Sequence, residues 1–300
     1  MEFFRICGGI PLNGSIDISG SKNAALPQFA ATLLSSEKSI LENVPDLSDV
    51  RFMGEILSEL GADVRRLNRT SWEIDPANIT HRAPYDLVRK MRASICLLGP
   101  LVGRLRKAEI PMPGGCVIGQ RPIDLHLKAL NCLGATTELE KGVVMVDAKD
   151  LKGSQIFLGG RHGSTVTGTT NAIMAAVLAP GDTKIESSAC EPEIIDLCKM
   201  LIKMGAKIDG VGSHILNIQG VTALTGCVHK VMPDRIEAAT YAIAAAITEG
   251  EIVLNNAKSE HLGSFINVMM GSGVKMESSE RGKKNIPFGK FFKDCHETEW

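Results

Sequence analysis

A repeat of about 70 residues is the feature that most restricts how this chain of 300 residues folds. Each copy opens with a helix of small apolar residues, continues into a short strand, and then has a second helix with apolar residues at a 3.6-residue period. The opening helices are predicted around residues 22–26, 92–96, 170–174 and 235–239. The strands are predicted at residues 39–44, 108–112, 183–187 and 251–255. Four matched copies predict an α/β fold built from repeated units.

The second helix of each copy is followed by a glycine, at Gly61, Gly134, Gly205 and Gly273. Three of these glycines lie in a Leu-Gly-Ala or Met-Gly-Ala tripeptide. Glycine directly after a helix commonly adopts the left-handed conformation, which satisfies the last carbonyl groups. The sequence therefore predicts a positive φ angle at each of the four glycines.

Composition argues against several classes of function. The chain has 33 basic and 34 acidic residues, a net charge of -1, and no strongly basic stripe, which argues against nucleic acid as the main partner. Aromatic residues make up 4% of the chain, too few for the stacking platforms of single-strand binders. A chain of this length usually forms more than one domain, so we expect two.

The cysteines and histidines show no framework. The eight cysteines form no Cys-x-x-Cys pair, and the seven histidines form no i, i+4 pair, so we expect neither disulfides nor a metal site.

The N-terminal residues do not resemble a signal peptide. The longest run of small apolar residues, 238–247, is too short to span a membrane. We therefore expect a cytoplasmic protein without a membrane or nucleic-acid partner.

Polar residues recur in the first turn of the opening helices. They are Lys22 with Asn23, Arg92, the run 169–171, and Arg235. Helix N-termini present unpaired N–H groups that attract anions. If the copies are related by pseudo-symmetry, these helix ends converge on a pocket for phosphates or carboxylates. The alternative is that each is an ordinary solvated surface residue.

A single cysteine is placed as a reactive thiol would be. Cys116 follows Pro113-Gly114-Gly115 and precedes Arg121. The glycines free the backbone, and a nearby guanidinium favours the thiolate. The alternative is a small buried hydrophobic residue in a turn, because free cysteines are often buried.

The ordered set of motifs identifies a family. The chain resembles the enolpyruvyl transferases of the EPSP synthase-like family, and among them those that act on UDP-N-acetylglucosamine. The motifs that carry the resemblance are Ile18 to Pro27, Met91-Arg92-Ala93-Ser94, Pro113 to His126, Glu191 to Asp196, and Pro233 to Glu237. The Gly-Gly-Cys loop favours the amino-sugar enzymes over those that make enolpyruvylshikimate phosphate.

This resemblance implies a fold and a reaction. The fold would be an inside-out α/β barrel of repeated units, with a complete first domain of three units at 22–229. An incomplete second domain would comprise 1–21 and 230–300. The reaction would transfer the enolpyruvyl group of phosphoenolpyruvate to the 3-hydroxyl of UDP-N-acetylglucosamine, the first committed step of peptidoglycan precursor synthesis, with no cofactor and no metal.

The resemblance also implies roles for individual residues. Cys116 would be the general acid and the alkylation site for fosfomycin, and Lys22 and Arg121 would hold the anionic groups of phosphoenolpyruvate. Asn23 would hydrogen-bond near the reacting hydroxyl, and the nucleotide sugar would contact Arg92, the run Arg121 to Leu125 and the loop at 159–162. The substrate-binding residues together would be Lys22, Asn23, Arg92, Arg121, Pro122, Ile123, Asp124, Leu125, Gly159, Gly160, Arg161, His162 and Gly163. Arg161 and His162 replace the Ser-Val of the family's usual Ser-Val-Gly loop.

The C-terminal region departs from the family. The family fold has six units, and this chain supplies four before a divergent tail begins at about residue 277. The Phe-Pro-Thr-Asp motif, whose aspartate is the family's proposed base, and the second domain's arginines are missing. Two readings therefore remain: a transferase, or a truncated, non-catalytic half-enzyme that binds the nucleotide sugar. The incomplete second domain would expose apolar helix faces and offer a surface for self-association.

Overall fold

The structure is a computed structural model that describes residues 8–114, 122–161 and 163–277, residues 3 and 5, and the backbone of 285–291. The chain divides into two compact units. The larger unit is Lys22–Met232, and the smaller unit comprises Met1–Ser21 and Pro233–Trp300. The sequence places the domain boundary after residue 229, and the compact units divide after Met232.

Helices and strands alternate along the chain. The α-helices are α1 (Lys22–Thr32), α2 (Ser48–Glu59), α3 (Tyr85–Val88), α4 (Leu98–Leu105), α5 (Asp124–Cys132), α6 (Val166–Ala176), α7 (Pro192–Lys203), α8 (Arg235–Ile247) and α9 (Gly263–Gly271). Within the described residues, 3₁₀ helices span Arg92–Leu97 and Ser259–His261. The strands are β1 (Gly14–Asp17), β2 (Ser39–Glu42), β3 (Asp63–Arg66), β4 (Trp72–Asp75), β5 (Lys107–Pro111), β6 (Thr136–Glu140), β7 (Val143–Asp147), β8 (Gln155–Phe157), β9 (Asp182–Glu186), β10 (Lys207–Asp209), β11 (Ile215–Gln219), β12 (Val228–Lys230), β13 (Ile252–Asn255), β14 (Val274–Met276) and β15 (Asn285–Phe291).

One of the predicted opening helices has a different form. Residues Arg92–Leu97 are a 3₁₀ helix that continues into α4. Pro100 explains the change, because proline lacks the N–H that would bond to the carbonyl of Cys96 four residues earlier. The other opening helices are α-helices: α1 and α8 begin at the predicted residues, and α6 begins at Val166, before the predicted run 170–174.

Strand order is the same in each sheet of the described chain. The first, third and second strands of a copy lie side by side, as in β2-β4-β3, β5-β7-β6, β9-β11-β10 and β13-β15-β14. These neighbours are antiparallel. A strand from elsewhere in the same unit adds in parallel to three of the sheets, where β12 pairs with β2, β8 with β9, and β1 with β13. The sheets thus repeat one another as the sequence does.

The predicted glycine caps are confirmed. Their φ angles are 105° at Gly61, 91° at Gly134, 104° at Gly205 and 84° at Gly273. After Gly61, the N–H of Ala62 donates to the carbonyl of Leu57 at 3.0 Å, which is the bond of a Schellman motif. The same bond follows Gly134 and Gly205.

Helices form the centre of the larger unit. Most of α1, the run Leu98–Gly103 of α4, and residues 168–176 of α6 are buried. A helix that is apolar on all sides needs partners on all sides. The strands bury alternate residues, as in β11, so one face of each sheet covers the helices and the other meets solvent.

A glycine lets two of the central helices approach closely. A Cβ atom on Gly99 of α4 would lie 2.7 Å from the backbone oxygen of Asn171 and 2.9 Å from its Cα. Four residues later, a Cβ on Gly103 would lie 2.8 Å from the backbone oxygen of Met174. Both glycines therefore face α6, and their missing side chains set the distance between α4 and α6.

In the smaller unit, helix α8 is covered on one side only. Its buried residues are alanines, namely Ala238, Ala242, Ala245 and Ala246. Ile236, Ile243 and Ile247 are exposed, the last by 74%.

Among the described residues, no helix is both long and apolar enough to cross a membrane.

Substitution of Gly99 by alanine should destabilise the protein. The added methyl group would press on backbone atoms of Asn171, which cannot move without shifting α6, so we expect a loss of about 1–3 kcal/mol in the free energy of unfolding. Chemical denaturation measures it. Gly271→Ala is the matched control, because a Cβ there meets open space. Equal stability of the two variants would contradict this packing.

Hydrogen exchange should distinguish the two compact units. Amide protons of α1, α4 and α6 should exchange slowly because these helices are covered on all sides. Amide protons of α8 and α9 should exchange faster, because α9 has no buried residue and α8 exposes its isoleucines. Mass spectrometry of exchanged peptides from the monomer measures both. Uniform protection across the two units would contradict the expectation.

Candidate functional site

Lys22 and Asn23 begin α1, in the larger unit. Lys22 Nζ lies 3.0 Å from Oδ2 of Asp49, in the first turn of α2, and both side chains are partly exposed. This ion pair fixes where the ammonium group lies, although exposed pairs contribute little to stability. Asn23 is exposed.

The segment before and at the start of α5 carries four of the predicted contacts. Pro122 and Asp124 are exposed, Leu125 is half-buried, and Ile123 is buried. Ile123 thus anchors this segment to the core while its neighbours remain accessible. Arg92 begins the 3₁₀ helix and is half-buried.

The loop at residues 159–163 is closed by its own backbone. Gly160 and Gly163 exchange two hydrogen bonds, of 2.9 and 3.1 Å, and Gly163 has a φ angle of 91°. A Cβ on Gly160 would lie 2.9 Å from Cδ1 of Leu125, so the loop lies against the start of α5. Arg161 is exposed at the tip. The fold therefore brings together two predicted contact segments that are far apart in sequence.

Three predicted site residues lie outside the described residues. They are Cys116 and Arg121, in the run 115–121, and His162. The flanking residues are described: β5 ends at Pro111, and α5 begins at Asp124. The roles of these three residues stay predictions.

The side chain of Asn171, in α6, forms hydrogen bonds with three other helical segments. Its Oδ1 accepts a hydrogen bond from the N–H of Gly99 at 2.7 Å, and its Nδ2 donates to the carbonyl of Ile95 at 2.9 Å. The same Nδ2 lies 3.0 Å from Nδ1 of His126, in α5. Asn171 is fully buried, with 0% of its surface exposed. One carboxamide thus connects α6 to the 3₁₀ helix, α4 and α5.

His126 is held in its neutral form. It is 2% exposed, and its Nε2 lies 3.1 Å from Oγ1 of Thr167. Burial and, to a lesser extent, the positive charge of Arg92 lower the pKa of His126 to about 4, although Asp124 partly opposes them. Arg92 therefore lies close enough to His126, in α5, for its positive charge to affect the pKa of the histidine.

The expectation that the run 169–171 faces an anion pocket is wrong. Helix α6 begins at Val166, with Thr165 as its N-cap, so these residues lie one turn further along than the sequence predicts. All three are buried. Thr169 Oγ1 accepts from the N–H of Ala189, and Thr170 Oγ1 donates to the carbonyl of Val166. Their hydroxyl groups stabilise the fold.

The motif at residues 191–196 also has a structural role. Asp196 Oδ2 accepts from Nε2 of Gln28 at 2.7 Å and from the N–H of Met232 at 3.0 Å. His229 Nε2 lies 3.3 Å from its Oδ1. Burial raises the pKa of Asp196, but these hydrogen bonds outweigh it and leave the pKa below its usual value. Asp196 thereby fastens α1, α7 and the chain after β12 to one another.

Two of the described cysteines are unsuited to act as thiolate nucleophiles. Burial raises the pKa of Cys96 and of Cys198 to about 12, so both remain protonated thiols. Among the described residues, no group of three histidine, cysteine or acidic side chains is placed to hold a metal ion.

Sequence reasoning missed His126, Asn171 and Thr167 as parts of the site. His126 lies within a predicted motif, and Asn171 lies in the run 169–171, but neither was selected for a role in holding the contacts. The available signal was weak, because their contacts join residues 41 to 76 positions apart.

Comparison with known proteins gives consistent matches. The family model of EPSP synthase (3-phosphoshikimate 1-carboxyvinyltransferase) matches residues 6–289. The chain is 51% identical over 282 residues to UDP-N-acetylglucosamine 1-carboxyvinyltransferase of Methylacidiphilum infernorum, covering 94% of this chain and 67% of that protein. It is 47% identical over 283 residues to the protein of the same name in Akkermansia muciniphila, covering 94% and 66%. The chain spans about two thirds of the length of these curated relatives.

Solved structures share the fold. The enolpyruvyl transferase NikO from Streptomyces tendae matches with a TM-score of 0.83 at 22% identity, covering 94% of this chain and 66% of that one. EPSP synthase from Acinetobacter baumannii matches with a TM-score of 0.73 at 17% identity, covering the same shares. At these identities the likeness establishes the α/β fold alone.

Acid should destabilise the protein through His126. The pKa is about 4 in the folded state and 6.5 ordinarily, so the unfolded chain takes up the proton first. The stability from neutral His126 is therefore complete above pH 6.5 and is lost as the pH falls towards 4. Between pH 7 and pH 5 we expect His126 to account for a loss of about 2 kcal/mol.

Urea denaturation of the wild type and of His126→Gln at both pH values measures this loss. Other titrating groups contribute to both proteins, so the difference between the two pH dependences belongs to His126. Glutamine does not titrate, and its variant should lose less stability on acidification. Identical losses in the two proteins would contradict the assignment.

Proposed function

The chain belongs to the EPSP synthase (3-phosphoshikimate 1-carboxyvinyltransferase) family, and we propose that it transfers the enolpyruvyl group of phosphoenolpyruvate to the 3-hydroxyl of UDP-N-acetylglucosamine. The observation that carries this choice is the identity of 45–51% over nearly the whole chain to relatives named for that reaction. The solved EPSP synthases are only 17–19% identical. The amino sugar is therefore the better acceptor than shikimate phosphate.

The proposed chemistry is an addition followed by an elimination. The 3-hydroxyl loses its proton, and its oxygen attacks C2 of phosphoenolpyruvate while C3 gains a proton, giving a tetrahedral intermediate. Loss of a proton from C3 then expels inorganic phosphate and leaves the enolpyruvyl ether. Cys116 would supply the proton to C3 as general acid. Lys22 and Arg121 would balance the negative charges of phosphoenolpyruvate, the lysine as a point charge and the arginine as a bidentate fork.

Three segments would bind the nucleotide sugar. They are Arg92, the start of α5 from Pro122 to Leu125, and the loop from Gly159 to Gly163. The contact between Gly160 and Leu125 supports this assignment, because it puts two of the segments side by side. The action of the Arg92 charge on His126, one residue after Leu125, supports the third. Asn23 would hydrogen-bond near the reacting hydroxyl.

The proposal also covers the domain architecture of the protein, its biosynthetic step and its cellular location. Residues 22–229 would form an inside-out barrel of three units, and residues 1–21 with 230–300 would belong to a second domain. The reaction would begin peptidoglycan precursor synthesis in the cytoplasm, and Cys116 would be alkylated by fosfomycin. The exposed isoleucines of α8 would favour self-association of the smaller unit.

The second reading is a half-enzyme that binds the nucleotide sugar without turnover. Its basis is that residues 1–300 contain no Phe-Pro-Thr-Asp motif, and that a reaction without a positioned base is about 10²–10⁴ times slower. Binding through the three segments of the larger unit would survive such a loss. The two readings predict the same affinity for the nucleotide sugar and different rates of phosphate release.

Phosphate release from phosphoenolpyruvate, with and without UDP-N-acetylglucosamine, tests the proposal. The wild type should release phosphate only with the sugar nucleotide present. Cys116→Ser should be about 10²–10⁴ times slower, because serine cannot serve as an acid of similar strength.

Cys190→Ser is the matched control. Cys190 is a partly buried thiol whose Sγ lies 3.3 Å from Nδ1 of His214, and neither residue is among the proposed contacts, so this variant should keep the wild-type rate. No release by the wild type, with thermal stabilisation by UDP-N-acetylglucosamine, would establish the half-enzyme instead. Neither release nor stabilisation would overturn both readings.

A further inference from the structure

The parallel strand beside β5 is very short. Where three of the described sheets have a full strand in this position, the sheet β5-β7-β6 has only His81 to Ala83. The N–H of Glu109 donates to the carbonyl of His81 at 2.8 Å, and the N–H of Ala83 donates to the carbonyl of Glu109 at 3.0 Å. The next bond of a parallel ladder would come from the N–H of residue 111, but Pro111 has none. The chain therefore leaves the sheet and forms α3.

A groove of about 590 Å³ lies at this end of the sheet. Its lining includes Val143 and Met145 of β7, whose half-buried side chains alternate with the buried Val144 and so lie on the face away from the helices. Tyr85, the first residue of α3, also lines the groove and is half exposed. The volume and the apolar lining are those of sites for small molecules. None of the described substrate contacts is among its lining residues.

Arg82 and Glu109 both line this groove, and they contact each other. Nε of Arg82 donates to Oε2 of Glu109 at 2.6 Å, and Glu109 is only 8% exposed. The Arg82 side chain is 76% exposed, and its two terminal nitrogens have no hydrogen-bond partner among the described residues. Because a guanidinium group is planar, the bond at Nε restricts the directions in which the terminal nitrogens donate. Arg82 thus offers an oriented fork that fits a carboxylate or a phosphate.

The charge of Glu109 is shared among several cations. Its Oε1 lies 3.3 Å from Nε2 of His81 and 3.6 Å from Nζ of Lys107. The hydrogen bond from Arg82 lowers the pKa of Glu109 more than burial raises it, so this carboxylate is ionised at neutral pH. Arg82 and Lys107 together carry more positive charge than Glu109 balances. An anionic group is therefore favoured at this edge of the groove.

A carboxylate without a partner lines the same groove. Glu59 is the last residue of α2, it is exposed, and within the described part of the chain its side chain has no hydrogen bond or ion pair. The N–H of Thr80 donates to the carbonyl of Leu60 at 2.7 Å, so the end of α2 lies beside the segment that pairs with β5. Glu140, also in the lining, lies 3.6 Å from Nζ of Lys141. Glu59 would attract an ammonium group and repel a second negative charge on a ligand.

We propose that this groove binds a short zwitterionic peptide with apolar side chains, at a site separate from the described substrate contacts. The C-terminal carboxylate accepts hydrogen bonds from the terminal nitrogens of Arg82. The N-terminal ammonium pairs with Glu59, and the apolar side chains pack against Val143 and Met145. A phosphate ester fits this lining less well, because its second negative charge would meet the carboxylates of the groove.

Calorimetric dissociation constants for the probe leucyl-leucine and three analogues test the proposal on the wild type. Leucyl-leucinamide lacks the carboxylate and should bind about fivefold more weakly or worse, since hydrogen bonds to charged groups are among the stronger ones. N-acetyl-leucyl-leucine lacks the ammonium and should bind about twofold to fivefold more weakly, as expected for an exposed ion pair. Glycyl-glycine lacks the apolar side chains and should also bind more weakly. Equal affinity for leucyl-leucine and its amide would overturn the proposal, and so would no binding of leucyl-leucine.

Substitution of Arg82 tests the fork itself. Arg82→Gln should bind leucyl-leucine about fivefold more weakly or worse and leave the affinity for leucyl-leucinamide unchanged, because the amide does not use the fork. Arg82→Lys keeps the charge without the fork and should restore only part of the affinity. Arg65→Gln is the matched control, since Arg65 is an exposed arginine paired with Asp63 outside the groove. Wild-type affinity for leucyl-leucine in Arg82→Gln would contradict the assignment.

Backbone amide NMR of the wild type locates the bound peptide without any variant. Addition of leucyl-leucine should shift the signals of Tyr85, Val143 and Met145. Shifts confined to the start of α5 and the loop at 159–163 would place the peptide among the proposed substrate contacts and would overturn the separate site.

Discussion

The buried carboxamide of Asn171 is the interaction on which the arrangement of the larger unit depends. Pro100 breaks the helical pattern between the 3₁₀ helix and α4, and the first N–H groups of α4 have no partner within their own helix. Asn171 accepts the N–H of Gly99 at this junction, and it donates a further hydrogen bond to the carbonyl of Ile95, which also accepts from the N–H of Leu98. A buried polar group without a partner costs about 1–3 kcal/mol, so this side chain fixes how α6 lies against both segments.

Close packing and hydrogen bonding reinforce each other at this point. Gly99 lets α4 approach the backbone of α6, and only at that distance can the amide of Asn171 reach across the junction. The same amide determines which nitrogen of His126 carries the proton. The start of α5, through His126, and the Arg92 segment, through Ile95, are therefore arranged around one buried carboxamide.

The sequence predicts the features whose causes are local. Gly61 and its counterparts cap helices through their own φ angles, and the period of apolar residues gives the helices that they end. Asn171 could not be assigned in this way, because its partners lie 45 to 76 residues away and become neighbours only in the fold. The error at residues 169–171 has a related cause. Thr165 caps α6 one turn before the small apolar residues begin, and this moves the run into the core.

For the candidate site, the family resemblance predicted Arg92, the residues around Asp124 and the loop at Gly160 as binding residues. It did not show which of these residues lie next to one another. The packing of Leu125 against Gly160 shows that the start of α5 and this loop are neighbours.

A double-mutant cycle of Asn171→Ala and His126→Ala tests the central claim most directly. Unfolding free energies of the wild type, both single variants and the double variant, measured at pH 7, give the coupling between the two side chains. The account predicts that the losses are not additive and that the coupling is about 1 kcal/mol or more. Losses that add to within about 0.5 kcal/mol would contradict it, because they would mean that Asn171 and His126 stabilise the protein independently.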